Sequence, residues 1–367
     1  MKVVEIINVD FSLRHFLLPL MRGIRARGHE VIGVCAEGRL LDEVRAEGFR
    51  IVALPFARRL SPLAHARSLA ALVRLLRNER PDLVHAHMPI SGFLGRLAAR
   101  LAGVPRVAYT CHGFLFNQDG SWPLRNGSLA MEWIAGRLTD VFMTVSTSEA
   151  ADARRLHIFR NAVAVGNGRD PALFRPDPVA RSAIRAAFGT PDDRVVIAAV
   201  SRLVRDKGYV ELAAAMRDVP EAELWVVGER LASDRGDDMA ELLQQSGLDD
   251  RLRLLGYRDD VAAVLAAADI FVLPSYFEAM PLSVIEAMLV GLPVVASEVG
   301  GIREEVVSGV TGLLVAPRQP VPLAGALRHL AGDADLRAKM GRAGRARALA
   351  LYDERIVVAR SLDLLGL

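Results

Sequence analysis

The sequence predicts an α/β protein made of two doubly wound, parallel-sheet units. Three observations carry that expectation. At 367 residues the chain is long for one ordinary domain. Short apolar runs of strand type alternate with longer stretches of helical periodicity, and they do so in two separate series, as parallel sheets covered by helices require. Between the series, Asn167-Gly168 and the prolines 171, 176 and 178 mark a turn-rich connection. The boundary is expected there, with residues 1–170 forming the first unit.

In the first series, residues 3–8, 30–35, 50–54, 83–87, 107–111 and 141–145 read as strands. Segments 14–27, 64–79, 91–102, 128–139 and 147–156 read as the intervening helices. Ligands in such sheets bind beyond the carboxyl ends of strands, so the loops there hold the candidate residues. The first, Asn8 to Arg14, contains no glycine. A dinucleotide fingerprint needs glycines at that turn, which disfavours a nicotinamide enzyme of the usual Rossmann type.

Residues 58–78 hold Arg58, Arg59, Arg67, Arg74 and Arg77 and no acid, with Leu69, Leu72, Val73 and Leu76 on one helical face. Two readings stand for the basic face: adhesion to an anionic membrane surface, or an ordinary solvated helix face. His85 and His87 lie two apart on a strand and share a face, but no third ligand of metal-site spacing follows, so a structural role is expected. His112-Gly113 closes another strand, where a histidine can meet a ligand and the glycine lets the backbone turn.

The second series has strands at 195–201, 223–228, 252–255, 269–273, 293–297 and 312–315. Helices are expected at 208–217, 238–246, 260–267, 282–290, 321–331 and 334–349. Lysine occurs only at positions 2, 207 and 339 among 46 basic residues, and Lys207 stands in the loop after the first of these strands, near Arg202. A compact ammonium and a planar guanidinium there suit phosphate oxygens. Gly228, Gly256 and Gly300-Gly301 follow later strands and are expected to open space beyond them. The stretch 275–288 runs from strand to loop to helix, with Pro281 at the expected first helical position and free amides just beyond it. That end can hold an anion, with Glu278 in the loop beside it and Glu286 about one turn into the helix. Asp333-Ala334-Asp335 reads as a helix cap rather than a metal motif.

Composition bounds the rest. Residues 1–170 carry 23 basic against 15 acidic residues, an excess of +8, and the remainder balances at −5. A basic surface can face lipid headgroups, nucleic acid or an anionic substrate. Cys35 and Cys111 are too few for a disulfide framework. The opening residues alternate toward a strand without a signal-peptide apolar core, and no apolar run reaches spanning length, so a cytoplasmic protein is expected.

Taken in order, His112-Gly113-Phe114, Asn167-Gly168 with Phe174 and Pro176, Arg202 with Lys207-Gly208, Val227-Gly228, Gly256-Tyr257, Glu278 and Glu286 with seven residues between them, Gly300-Gly301-Ile302 with Glu304, and Gly312 to Val315 resemble glycosyltransferase family four. The resemblance spans nearly the whole chain. It implies the GT-B fold: two Rossmann-like domains facing across a cleft, the second over 171–350, and a C-terminal helix within 351–367 crossing back to the first. It also implies a retaining, nucleotide-sugar-dependent transferase of the hexosyltransferase class that needs no metal or cofactor. Arg202 and Lys207 would neutralise the diphosphate, Glu286 would take ribose hydroxyls, and Glu278 with the amides near Met280 would hold the sugar and phosphate. His112 would reach the sugar from the first domain. Gly228, Tyr257, Arg258, Ala279, Met280 and Leu282 complete the implied donor site, while Asp10, Phe11, Ser12, Arg14 and Phe114 stand on the acceptor side.

Two departures mark this chain. The family's Gly-Gly loop after the first strand is replaced by Asp10 to Leu13, and Ala279 stands where glycine is frequent. The first of these, with Arg59 to Pro62 and His112 to Phe114, resembles the branch that builds bacterial polysaccharides on polyprenyl carriers. The expected partners are thus a nucleotide sugar and a glycan or polyprenyl-linked acceptor, not nucleic acid, with attachment to the inner face of the plasma membrane as one reading of the basic half. A GT-B nucleotide-sugar epimerase, or a nucleotide-sugar-binding protein without turnover, is the alternative.

Overall fold

The computed structural model describes residues 1–56, 61–230, 234 and 237–367. Arg58, Arg59 and Leu60, part of the basic segment read above, lie outside the described residues. The chain divides into two compact units, Met1–Gly166 with Arg355–Leu367, and Asn167–Glu354.

The first unit holds a seven-stranded sheet in the order β3-β2-β1-β4-β5-β6-β7. Its strands are β1 (Lys2–Ile6), β2 (Glu30–Cys35), β3 (Arg50–Ala53), β4 (Leu83–His87), β5 (Arg106–Cys111), β6 (Val141–Thr144) and β7 (Val163–Ala164). Every pairing is parallel. Strands of such a sheet are covered on both faces and therefore read as nearly continuous apolar runs. Successive residues serve opposite cores: Val3 packs with Leu17, Met21 and Ile24, and Val4 packs with Leu72, Leu76 and Ala98. The last helix, Glu354–Leu365, adds Leu362 and Leu365 to the first of these cores. Arg106 Nη1 donates to the Leu365 carbonyl at 2.7 Å and fixes its end.

The second unit holds a six-stranded sheet in the order β10-β9-β8-β11-β12-β13, again parallel throughout. Its strands are β8 (Val195–Val200), β9 (Ala222–Val227), β10 (Leu252–Leu254), β11 (Ile270–Leu273), β12 (Val294–Ser297) and β13 (Gly312–Val315). Among the described residues, no helix is long and apolar enough to cross a membrane.

The structure departs from the sequence reading at the ends of elements, in one eleven-residue helix and in several short elements. The expected loop from Asn8 to Arg14 is mostly helix, since Asp10–Ser12 already winds and Leu13–Leu17 continues as a π-helical turn. Pro178 opens the helix Pro178–Phe188, with the Asp177 carboxylate accepting from the Ala180 amide at 2.9 Å. Pro178 starts a helix where it suggested loop, because proline is at home in a first turn. Helices Leu41–Ala46 and Ile302–Glu305 and strand β7 are too short to show a period. Asp333 caps Ala334–Leu351 as expected, accepting from the Leu336 amide at 2.8 Å.

Candidate active site

In the second unit the candidate residues gather on the loops after β8 and β11. Lys207 closes a 3-10 turn (Arg205–Lys207), and its Nζ donates to Glu278 Oε1 at 2.5 Å. Ser275 Oγ donates to the same oxygen at 2.7 Å. Glu278 is 8% exposed, so the ammonium compensates a carboxylate that has lost most of its water. Arg202, on the same β8 loop, pairs with Asp234 at 2.5 Å and keeps half its side chain exposed. Arg258 makes a two-pronged pair with Asp260, both bonds 2.6 Å. Tyr257, Ala279 and Leu282 are partly buried.

The helix Leu282–Val290 has the expected bounds, with Pro281 at its N-cap and not in its first helical position. Pro281 has extended backbone (φ −75°, ψ 122°) and offers no side-chain cap, so first-turn amides face the loop. Glu286 lies within this helix, and its Oε1 accepts from Arg169 Nε at 2.6 Å. Burial pushes the Glu286 carboxyl upward, and the Arg169 guanidinium opposes that shift. Asn167 fastens the loop from the same connecting segment, its Nδ2 donating to the Met280 carbonyl at 2.7 Å. Neither Asn167 nor Arg169 was assigned a site role from sequence, although Asn167 belonged to the quoted pattern. Behind the loop, both carboxyl oxygens of Glu305 are buried and make no hydrogen bond among the described residues. Burial first, then Glu278 and Glu304, raise its carboxyl well above the usual range.

A Cβ on Gly256 would meet nothing within 4 Å, in keeping with the expected open space, but the other glycines do something different. A Cβ on Gly208 would lie 2.1 Å from the Pro274 carbonyl oxygen, and one on Gly228 would lie 2.1 Å from that of Ser201. A Cβ on Gly300 or Gly301 would meet the carbonyl oxygens of Glu278 at 2.2 Å or Ala279 at 1.6 Å. These glycines therefore let neighbouring loops press backbone against backbone.

In the first unit, His112 directly follows β5 and is itself followed by Gly113 at φ 130°. Its Nε2 lies 3.1 Å from His87 Nδ1, and His87 Nε2 lies 2.8 Å from Glu5 Oε2. His85 Nδ1 lies 3.1 Å from Glu5 Oε1, and His85 Nε2 lies 2.8 Å from Thr110 Oγ1. The third member missing from the His85-His87 pair in sequence is thus Glu5, placed by the register that sets it opposite His85 across β1 and β4. The potential ligand atoms of these three residues lie within 4.8 Å of one another, and here they bond to each other. Burial raises the Glu5 carboxyl, but His85 and His87 outweigh it and hold it down at about 2.

The residues assigned to the acceptor side separate. Asp10 accepts from the Phe11 and Leu40 amides at 2.8 and 3.3 Å, Arg14 Nε pairs with Glu43 at 2.5 Å, and Ser12 is buried. Phe11 is 44% exposed. Phe114 is fully buried and stacks on Phe116 at 4.6 Å, so its ring packs the core and offers no acceptor contact.

Comparison with known proteins agrees with this arrangement. The family description "Glycosyl transferases group 1" matches residues 180–347, and "Glycosyl transferase 4-like domain" matches residues 13–168. The chain is 30% identical over 309 residues to the Escherichia coli UDP-Gal:alpha-D-GlcNAc-diphosphoundecaprenol alpha-1,3-galactosyltransferase, covering 78% of both chains. It is 26% identical over 382 residues to the N,N'-diacetylbacillosaminyl-diphospho-undecaprenol alpha-1,3-N-acetylgalactosaminyltransferase of Campylobacter jejuni, covering 99% of this chain and 98% of that one. In fold it is similar to HepE of Anabaena, solved with UDP and glucose, at a TM-score of 0.85 and 22% identity over 100% of this chain and 99% of that one. The chain therefore belongs to glycosyltransferase family four, with the GT-B fold, and is a nucleotide-sugar-dependent glycosyltransferase.

Proposed function

We propose that the protein transfers a hexose, with retention of anomeric configuration, from a nucleoside-diphosphate sugar to a polyprenyl-diphosphate-linked glycan during cell-surface polysaccharide synthesis. One observation carries the donor half: Lys207 meets Glu278 at 2.5 Å where the β8 loop touches the loop leading into Leu282–Val290. A diphosphate seated there finds an ammonium, the Arg202 fork and helix first-turn amides, all stabilising the charge that grows on the leaving group. Glu286 takes ribose hydroxyls, and Glu278 and the backbone near Met280 take the donor sugar; in the first unit, taken by itself, His112 offers a bond to a hydroxyl of a sugar substrate. The acceptor half is supported by the two relatives named above, whose names specify undecaprenol-diphosphate substrates. The basic excess of residues 1–170 fits an acceptor held in an anionic membrane, with the protein at its inner face.

The test is to incubate the protein with a panel of nucleotide sugars and an undecaprenyl-diphosphate sugar, and to follow nucleoside diphosphate release and the anomeric proton of the product. One donor should yield an extended lipid-linked glycan with the donor's anomeric configuration. An epimerised donor, an inverted product, or a donor bound and unchanged would overturn the proposal. The side-chain cations and amides supply the charge compensation, so turnover should survive excess EDTA. Flotation with anionic but not neutral liposomes tests the membrane reading, and equal binding to both would remove it.

A further inference from the structure

The hydrogen bonds among Glu5, His87 and His112 have a direction, and that direction says what His112 can offer a substrate. Glu5 is fully buried and its carboxyl is held down at about 2, so it is ionised and can only accept. The His87 Nε2 at 2.8 Å must therefore donate to it. Burial first, then neighbouring His85, hold His87 down at about 4 against the opposing pull of Glu5, so near neutral pH its other nitrogen carries no proton. His87 Nδ1 is then an acceptor. Across 3.1 Å the donor available to it among the described residues is His112 Nε2–H. Burial, then His87 and His85, keep His112 neutral as well, which leaves its Nδ1 unprotonated. That Nδ1 is buried and has no hydrogen-bond partner among the described residues.

We infer that Glu5 and His87 are positioning residues that fix His112 as the Nε2–H tautomer, so that its Nδ1 accepts a hydrogen bond from a hydroxyl of the sugar substrate. The inference rests on the transferase reading above and specifies the part His112 plays in it.

Two features of the same strand ends support a ligand-directed arrangement over a merely satisfied core. Met88, directly after His87, has φ 65° and ψ 159°, a region that residues other than glycine occupy only under strain. The π-helical turn Leu13–Leu17 sets Phe16 edge-on to His112, with ring centroids 5.4 Å apart; turns of this kind gather at functional sites. An orphaned buried acceptor is itself costly, and a substrate hydroxyl reaching Nδ1 removes that cost.

Long-range proton–nitrogen correlation spectra of the full-length labelled protein at neutral pH test the inference directly. The His112 signals, identified by their loss in His112→Gln, should show a neutral ring protonated on Nε2 alone. Protonation on Nδ1, or an imidazolium, would overturn it. Two substitutions separate positioning from bulk stability. In His87→Gln the amide oxygen still accepts from His112 and the amide nitrogen still donates to Glu5, so the Nε2–H signature and kcat/KM should be retained within a few-fold. His87→Leu should mix the tautomers and lower kcat/KM about tenfold, the worth of one hydrogen bond to substrate. Equal losses in both substitutions, following unfolding midpoints rather than tautomer, would show a structural role only. Because the spectra need no substrate, a wild-type protein that transfers no sugar counts against the transferase proposal alone. A transferring protein with Nδ1–H counts against this inference alone.

Discussion

Replacing Gly301 with alanine tests whether the loop carrying Glu278 is held in place by backbone contact. Gly301 has φ −65°, so alanine meets no conformational penalty and the substitution changes only the space occupied. The new Cβ would stand 1.6 Å from the Ala279 carbonyl oxygen and 2.9 Å from the Met280 Cα. Real Cβ contacts do not fall below 3.0 Å, so these backbones must part by about 1.4 Å. The neighbour is main chain, with no flexible side-chain tip to swing aside. Gly301 N–H also donates to the Glu278 carbonyl at 3.1 Å, so the displacement is passed to the residue paired with Lys207. Misplacing a binding group by about 1 Å costs on the order of a hundredfold in rate. In G301A, kcat/KM measured by nucleoside diphosphate release should fall about a hundredfold, while urea unfolding retains a single cooperative transition. Wild-type kcat/KM in a folded G301A protein would refute the argument that this contact positions the donor loop.

Three further outcomes follow from the buried charges and one cap. Arg169→Met leaves Glu286 buried without its cation and should cost about 3 kcal/mol at neutral pH. The Glu286 carboxyl, already raised by burial, rises further in that protein, so the loss should deepen as pH increases and shrink toward acid; urea titrations at pH 5 and 8 with equal losses would contradict this. His87, depressed from 6.5 to about 4, gives stability that is present above 6.5 and is lost as pH falls toward 4, by up to about 3 kcal/mol, and Glu5 acts in the same sense between 4.5 and about 2. Thermal melts should show acid destabilisation that His87→Gln lessens. Asp333→Ala removes the bond to the Leu336 amide and should cost about 1 kcal/mol in urea unfolding, without changing transfer kinetics.

The strands were legible because parallel sheets bury both faces, and unbroken runs such as Ile270–Leu273 have no other home. Lys207 and Glu278 were singled out because one stands out by composition and the other by spacing, and the structure joins them in an ion pair. Glu5 was not. Its role depends on β1 lying beside β4 in a register that sets Glu5 opposite His85, a pairing across 80 residues that no local pattern encodes. Arg169 stayed hidden for the same reason, since it meets Glu286 at a separation of 117 residues. The glycines were visible as turn residues, but close backbone approach leaves no trace in the neighbouring sequence. Phe114 shows the converse: its place after His112-Gly113 suggested contact with an acceptor, whereas the chain turns it inward to stack on Phe116.

The charge pattern on the second unit bears on how a diphosphate is recognised there. Lys207, Arg202 and Arg258 each carry an acid partner, Glu278, Asp234 and Asp260. Those six groups sum to zero, so simple attraction to a cationic surface does not account for anion affinity at these loops. At the proposed donor site selectivity would instead come from exchange. A phosphate oxygen would replace the Asp234 carboxylate on the exposed Arg202 fork at little cost, because a pair that is half in water is worth roughly 1 kcal/mol or less. Lys207 is more enclosed and is held by a carboxylate that also takes the Ser275 hydroxyl, so in this proposal it stays with Glu278 and presents its remaining donors to the ligand. The uncompensated positive partial charge then belongs to the first-turn amides of Leu282–Val290, whose end has no capping side chain. In the proposed reaction Arg202 would thus serve capture, and Lys207 with the helix end would serve the charge that develops during transfer.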